Sequence, residues 1–244
     1  MSHAIEFQTD VSIVLTATIT PNVTGPASTN PETRLAEYRR VLQFYRQFAP
    51  VFFLENSRFP LESDPDFTES PNLRVRRFAP SSKPERGKGY QEFEMLDAWL
   101  AAEPQPPPNW LKITGRYQLR NLCPILNECR RERKYGLLID QLAKQRFART
   151  HLFFSTTQFY REQIEGLYRQ CDDSRGEFIE HVMFRQLEKL PRNQVRIFKT
   201  QPDFLASLGS TGKMLPTGSF QWLTKQGLRR LNYLINKRRL LYVR

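Results

Sequence analysis

The chain has 244 residues, of which 39% are hydrophobic and 25% are charged, and these ordinary values exclude an intrinsically disordered protein. No apolar run approaches the roughly 18 residues of a membrane-spanning helix, and the polar first ten residues do not resemble a signal peptide. The formal net charge is +12, and residues 189–244, with twelve basic side chains and one acidic, carry almost all of it. Such a local excess predicts an anionic partner or, alternatively, a solvated basic face.

Strands and helices alternate through the first half of the chain. A nearly continuous β-branched run predicts a strand buried on both faces at 11–20, and Asn30, Pro31 and Glu32 form a helix-start signal. Periodicity predicts further helices at 31–48, 90–102 and 124–133 and further strands at 50–54, 73–78 and 110–117. This alternation predicts βαβ units, and therefore an α/β fold with a mostly parallel central sheet flanked by helices.

The second half contains shorter elements. The patterns predict strands at 136–139, 150–155 and 195–199 and helices at 157–170, 175–190 and 219–240. We expect one α/β domain over residues 1–218, followed by a basic amphipathic helical part over 219–244. Three cysteines without paired spacing predict free thiols in a reducing cytoplasm.

Polar residues follow the predicted strands at their carboxyl ends, where ligands bind in open α/β sheets. Between two of these strands a glycine-flanked lysine opens a helix, and a helix start with nearby basic residues favours phosphate. The spacing matches neither GxxxxGK[ST] nor GxGxxG, so a basic loop without a ligand is equally consistent with it. The candidate ligand-binding residues are Thr16, Thr18, Glu55, Asn56, Lys88, Gly89, Glu92, Lys112, Thr114, Gly115 and Arg116.

Several segments between residues 11 and 190 resemble a group of small bacterial proteins from capsule and lipopolysaccharide gene clusters. They include TATITPN, FLENS, RGKGYQEFEML and WLKITGRYQLRNL, and KGYxE followed by KITGRY is the most specific pair. These proteins look like glycosyltransferases of the GT-A type. The resemblance implies a single Rossmann-like domain that moves a sugar to a surface polysaccharide or lipopolysaccharide acceptor. The donor is expected to be an activated sugar phosphate, most simply a nucleotide sugar.

The chain departs from that family at the metal site. Most GT-A enzymes carry Asp-x-Asp near this strand end to hold a divalent cation, whereas this chain reads Lys112-Ile113-Thr114-Gly115-Arg116. We therefore expect no metal cofactor, with basic side chains neutralising the departing phosphate. Arg116 suits this role because a guanidinium binds phosphate oxygens in a bidentate fork, although an ion pair at the sheet edge is the alternative.

Sugar transfer to a hydroxyl also needs a general base when the stereochemistry inverts, and the sequence does not choose between inversion and retention. Glu180 and His181 interrupt the apolar pattern of a predicted helix, and Asp140 ends a predicted strand. Each is a candidate base, and Arg116 completes the predicted catalytic set. The alternative for Glu180 and His181 is an ordinary exposed helix face.

The predicted C-terminal helix is basic and amphipathic. Trp222, Leu228 and Leu231 lie close to one stripe of it, and lysines and arginines cover the remainder. This pattern predicts binding of residues 219–244 to an anionic membrane surface, at the inner face of the cytoplasmic membrane, near a lipid-linked glycan acceptor. Alternatively, the leucines pack on the domain and the charges face water.

Three other functions stay open. The basic C-terminus could bind nucleic acid, but residues 1–120 carry no net charge and contain no recognisable nucleic-acid module, so we expect no nucleic-acid partner. The donor could be a phosphosugar without a nucleotide, held by the same basic side chains. The missing metal motif could also mark a scaffold that has lost catalysis.

Overall fold

The computed structural model describes residues 10–21, 30–191, 193–205, 226–231 and 234. Within these ranges the strands are β1 Ser12–Ala17, β2 Val51–Glu55, β3 Leu73–Arg77, β4 Asn109–Thr114, β5 Gln118–Leu119, β6 Leu137–Leu142, β7 Phe147–Thr156, β8 Val195–Arg196 and β9 Phe204–Leu205. The α-helices are α1 Pro31–Tyr45, α2 Lys88–Ala102, α3 Leu122–Glu132, α4 Thr157–Gln163 and α5 Ile179–Lys189.

The main sheet has seven strands in the order β3-β2-β1-β4-β7-β6-β8, and β5 pairs with β9 in a small second sheet. Strands β1, β2, β3 and β4 run parallel to one another, as do β6 and β8. Among the described strands of this sheet, only β7 is antiparallel to its neighbours. The structure therefore confirms a single α/β domain with a mostly parallel central sheet flanked by helices.

The sheet is buried on both faces, as the apolar run of β1 predicts. Ile13 and Leu15 are fully buried in a hydrophobic cluster with α1 and α3, whereas Val14 between them packs with α2 and α5. Alternate residues of a strand point to opposite faces, so β1 belongs to both hydrophobic clusters at once. Burial of this central strand fixes where its carboxyl end, and any ligand beside it, must lie.

Helix α1 begins as the sequence predicts. The side chain of Asn30 accepts a hydrogen bond from the amide of Thr33, and Pro31 occupies the first turn. Its buried stripe includes Leu35, Tyr38 and Tyr45, which pack on the sheet. The stripe also contains Arg34, a charged residue on an otherwise apolar face.

The region 136–156 differs from its prediction. Instead of two separate short strands, the chain forms a β6–β7 hairpin in which β7 spans ten residues and separates β6 from β4. The polar residues Arg149, Thr150 and His151 interrupt the apolar pattern of β7, so the strand predicted at 150–155 starts three residues after the observed one. The hairpin places the start of β7 beside the end of β4.

Helices α4 and α5 are shorter than predicted. α4 ends at Gln163 and α5 begins at Ile179, because the intervening chain turns at Gly166 and Gly176 with positive φ angles of 80° and 73°. The amide of Gly166 donates to Asp97 of α2, so this turn is tied to the neighbouring helix.

The cysteines are free thiols as predicted, with Cys129 and Cys171 buried and Cys123 exposed. None of the described helices combines the length and the hydrophobicity that crossing a membrane requires. The expected boundary at residues 218 and 219 lies outside the described residues, so the division into two parts stays a prediction.

The described part of the C-terminal segment is helical over residues 226–231 and is anchored by a buried ion pair. Both terminal nitrogens of Arg229 bind the carboxylate of Asp140 on β6, at 2.8 and 2.6 Å, and the two side chains are only 3% and 5% exposed. Arg229 also donates to the carbonyl of Phe198 and to the side chain of Gln201. Burial alone would raise the pKa of Asp140, but the charge and hydrogen bonds of Arg229 hold it below its ordinary value.

We expect Arg229→Met to lower the free energy of unfolding by about 3–5 kcal/mol, because it leaves the carboxylate of Asp140 buried and unpaired. Urea unfolding at neutral pH measures the change. The exposed neighbour Arg230 provides the control, since Arg230→Met should stay within about 0.5 kcal/mol of the parent. Equal losses in the two variants would contradict the structural role of the ion pair.

Candidate active site

A cavity of about 490 Å³ opens at the carboxyl ends of β1 and β4. The beginnings of α2 and α5 form part of its wall, and so does the first half of β7, because an antiparallel strand begins where its parallel neighbour ends. The structure brings eight of the predicted ligand and catalytic residues to this cavity: Thr16, Thr18, Lys88, Gly89, Glu92, Thr114, Arg116 and Glu180.

The floor of the cavity is a buried ion pair between β4 and α2. The Nζ atom of Lys112 is fully buried and lies 2.7 Å from Oε1 of Glu92, and the hydroxyl of Thr16 donates to the same oxygen. Lys112 also donates to the carbonyl of Thr150 at 2.9 Å and to the hydroxyl of Thr114 at 3.2 Å. These contacts correct the sequence interpretation of Lys112, which lies beneath the cavity and cannot meet a phosphate there.

Glu180 faces the cavity from the first turn of α5. Its Oε1 atom accepts a hydrogen bond from the hydroxyl of Thr150 at 3.2 Å, so β7 fixes its position. Burial raises the pKa of the Glu180 carboxyl, and the nearby carboxylate of Glu92 raises it further. A carboxylate with a raised pKa is a stronger base than an ordinary glutamate and can take a proton from a bound group.

Three cations also line the cavity: Arg34, Lys88 and Arg116. Arg34 donates to the carbonyl of Thr18, and Arg116 forms an ion pair with Glu37 at 2.9 Å. Lys88, by contrast, forms no ion pair with any carboxylate of the described ranges. Partial burial lowers the pKa of Lys88, and the positive charge of Arg34 lowers it further. An anion bound among these three side chains would relieve their mutual repulsion.

The start of α2 is not an open phosphate site. Gly87 precedes the helix with a φ of 104°, and the carboxylate of Asp173 accepts the backbone amide of Lys88. A Cβ atom at Gly87 would lie 2.0 Å from Asp173, which explains the glycine there. Gly89 likewise lies against Ile179, where a Cβ would come within 2.4 Å of that side chain. Both glycines therefore serve packing, and the side chain of Lys88 is left to meet a ligand.

Glu55 and Asn56 lie behind the wall of the cavity. Glu55 accepts the amides of Ile19 and Ser57, and Asn56 accepts the hydroxyl of Thr18 at 2.6 Å. These bonds hold the turn that follows β1 and position Thr18 at the cavity.

Gly115 belongs to the same sheet edge. Its amide donates to the carbonyl of Thr16, where a Cβ would lie only 2.6 Å from that oxygen. The structure therefore gives supporting positions to Glu55, Asn56 and Gly115, which the sequence placed in contact with ligand.

Two of the predicted bases lie outside the cavity. Asp140 is engaged by Arg229, and His181 points to the carbonyl of Arg146, with its ring packed against Phe147 and Phe178. Of the three candidate bases, only Glu180 lines the cavity. The spacing of the sequence could not separate Glu180 from the adjacent His181, since both lie in the same turn of helix.

Sequence reasoning missed a group of cavity residues. Arg34 had a usable signal, because it is the one charge on the apolar stripe of α1. Thr150 and His151 had none, since the hairpin that brings them to the cavity was not predicted. Enclosure lowers the pKa of His151 to about 3, helped by the positive charges of Arg149 and Lys112, so this ring is neutral. The group also includes the aromatic residues Tyr38, Tyr117 and Phe147.

The strand end that would hold a metal in most GT-A enzymes does not fit a divalent cation. Lysine, threonine and arginine stand where carboxylates would be needed, and hard cations require several oxygen ligands. Among the residues that the structure describes, no group of three or more His, Cys, Asp or Glu side chains is arranged to hold a metal ion.

No protein-family model matches the chain, and no curated protein matches its sequence. Among solved structures, a Bacillus anthracis protein named as a glucose-1-phosphate thymidylyltransferase, in complex with a sucrose, is similar with a TM-score of 0.45 and 13% identity. That match covers 90% of this chain and 95% of the other.

The inositol-1-phosphate CTP transferase from T. maritima has a TM-score of 0.44 and 12% identity, with 77% of this chain and 84% of the other covered. Mouse xyloside xylosyltransferase 1 has a TM-score of 0.43 and 10% identity, with the same two coverages. Identities and TM-scores this low carry no argument about function, so the function has to be sought in the residues of the cavity itself.

We expect Lys112→Met to lower the free energy of unfolding by about 1–3 kcal/mol, because it removes a donor from the buried side of Glu92 and from the carbonyl of Thr150. Urea unfolding measures the change, and the exposed Lys144→Met is the matched control. The double variant Lys112→Met with Glu92→Gln should lose less than the sum of the two single variants, since the two side chains interact directly. Strict additivity would contradict the ion pair.

Proposed function

We propose that the protein is a glycosyltransferase that moves a sugar from an activated phosphate donor to a hydroxyl group of a glycan acceptor. One observation carries the proposal. A single cavity at the carboxyl ends of two parallel strands combines Lys88, which forms no ion pair with a carboxylate of the described residues, with Glu180, a carboxylate of raised pKa. Its volume of about 490 Å³ lies within the range of roughly 300–1,000 Å³ that small-molecule sites occupy.

The donor phosphates bind on the cationic side of the cavity. Lys88 supplies a point charge, and Arg116 supplies guanidinium nitrogens beyond the one that Glu37 holds. Arg34 adds positive charge behind them. Charge develops on the leaving phosphate as its bond to the sugar breaks, so these fixed cations stabilise the transition state more than the ground state. They supply the positive charge that a divalent metal supplies in most GT-A enzymes.

The acceptor hydroxyl binds beside Glu180. Its oxygen forms a bond to the anomeric carbon, the bond from that carbon to the phosphate oxygen breaks, and the electron pair leaves with the phosphate. The hydroxyl proton passes to the carboxylate of Glu180. A hydrogen bond from the hydroxyl of Thr150 keeps this carboxylate in place. Glu92 and the hydroxyls of Thr18 and Thr114 remain as partners for the hydroxyl groups of the donor.

The donor that we favour is a nucleotide sugar, and the acceptor that we favour is a growing surface polysaccharide or lipopolysaccharide. Both follow from the resemblance of the KGYxE and KITGRY segments. A phosphosugar without a nucleotide would use the same cations, so the test includes both donor classes.

A thermal-shift screen of the intact chain tests the donor. Nucleotides, nucleotide sugars, phosphoribosyl diphosphate and duplex DNA are each added with EDTA or with Mn²⁺. Saturation to a hundredfold excess over the dissociation constant stabilises a folded protein by about 2.7 kcal/mol. We expect one nucleotide class to raise the melting temperature equally with EDTA and with Mn²⁺. A shift that requires Mn²⁺ would contradict the role of the cations, and a shift with duplex DNA alone would contradict the transferase.

Two cavity variants test the assigned roles once a donor is known. Glu180→Gln should lower kcat about 10²–10⁴-fold with little effect on donor binding, because it removes the base but keeps the side chain's shape. Lys88→Met should weaken donor binding and lower kcat about 10²-fold, because it removes charge from the leaving phosphate. Initial rates and donor titration separate the two effects.

Exposed residues away from the cavity provide the controls, namely Glu188→Gln on the same helix α5 and Lys144→Met in the β6–β7 turn. Both controls should keep the parent rate. A Glu180→Gln variant that kept the parent kcat would remove Glu180 from the mechanism.

A further inference from the structure

The C-terminal helical segment buries a charged side chain and exposes apolar ones, which is the reverse of an ordinary surface helix. Surface helices bury their apolar stripe and expose their charges. Here Arg229 is 2% exposed, whereas Leu228, Leu231 and Leu234 are 50%, 55% and 69% exposed. The three leucines follow one another at intervals of three residues, so they share one face of the helix, and Arg229 lies on the other. Within the described residues, the leucines therefore do not pack on the domain, which was the alternative to membrane binding.

This orientation is fixed by specific bonds. Arg229 reaches inward to Asp140, to the carbonyl of Phe198 and to Gln201. One turn earlier, the side chain of Gln226 accepts the amide of Gln201, so two points one turn apart hold the same face against the domain. Rotating the helix to bury the leucines would break the Arg229 ion pair. The leucine face is therefore held outward.

We propose that this leucine face docks on an anionic lipid surface. The leucines would enter the headgroup and acyl boundary, and the exposed Arg230, with the basic residues that follow in the sequence, would meet anionic headgroups. The charge of the region favours this occupant, since residues 189–244 contain twelve basic side chains and one acidic, Asp203, which is itself paired with Arg120. Arg230 is exposed beside the leucines, and Lys237, Arg238 and Arg239 follow in the sequence.

A second copy of the chain is a poorer occupant of this face. Two copies would bring together two regions of the same strong positive charge, and like charges across an interface oppose association. A lipid surface buries the leucines and satisfies the charge at once. This proposal does not depend on the catalytic role of the cavity, because vesicle binding needs neither donor nor acceptor.

Co-sedimentation of the intact chain with vesicles tests the proposal. Vesicles of phosphatidylcholine alone are compared with vesicles that also contain phosphatidylglycerol. We expect binding to the anionic vesicles, weaker binding to the neutral ones, and loss of binding as salt is added. Replacing Leu228, Leu231 and Leu234 together by serine should weaken binding at least about tenfold. Because these side chains are exposed, the triple variant should keep the parent melting temperature.

Phe178→Ser is the matched control, since Phe178 is a large apolar residue that is 41% exposed outside this segment. It should bind vesicles like the parent. The proposal is wrong if the parent does not sediment with anionic vesicles, or if the triple variant binds as well as the parent. Light scattering provides one further outcome. A dimer that the triple variant abolishes, without any vesicle binding by the parent, would assign the face to a second copy and overturn the lipid proposal.

Discussion

A lysine ammonium that is fully buried in a sheet has to be paired, and the pairing of Lys112 organises this molecule's cavity. Its partners lie on three separate elements: Glu92 on α2, Thr114 on β4 itself and the carbonyl of Thr150 on β7. Thr16 of β1 joins through Glu92. Glu180 of α5 joins through Thr150, so a single buried charge connects five of the elements that line the cavity. Burying such a charge is costly unless the geometry is good, and this cost holds the elements in one arrangement.

The ion pair between Lys112 and Glu92 decides which cations face the cavity. Lys112 engages Glu92 on the buried side and leaves Lys88, Arg34 and Arg116 as the cations that face the space. Glu180 lines the same cavity, and burial raises the pKa of its carboxyl. A site that combines cations with a carboxylate of raised pKa suits a reaction that releases an anion and takes up a proton.

Hydrophobic patterns predict most of this fold, because strands β1 to β4 and helices α1 to α3 are long enough to show their period. The β6–β7 hairpin was missed because Arg149, Thr150 and His151 break the apolar pattern of β7, and two of these, Thr150 and His151, line the cavity. The candidate site was found in outline from the rule that ligands bind at the ends of parallel strands. The sequence could not show which of the cations is buried. Alternate residues of a strand face opposite sides of the sheet, so Lys112 is recognised as facing α2 only once the position of β4 in the sheet is known. Nor could the sequence show that Asp140 has a partner as distant as Arg229.

The start of α2 also depends on a segment that lies far along the chain. Asp173 accepts the first amide of that helix, and Arg86 just before it donates to the carbonyls of Arg169 and Cys171. The helix that carries Lys88 and Glu92 is thus anchored by a segment that is synthesised long after it. A nascent chain that ended before Asp173 would contain most of the cations of the cavity without the contacts that orient them. Assembly of the site therefore requires the segment before α5 to be in place against the start of α2.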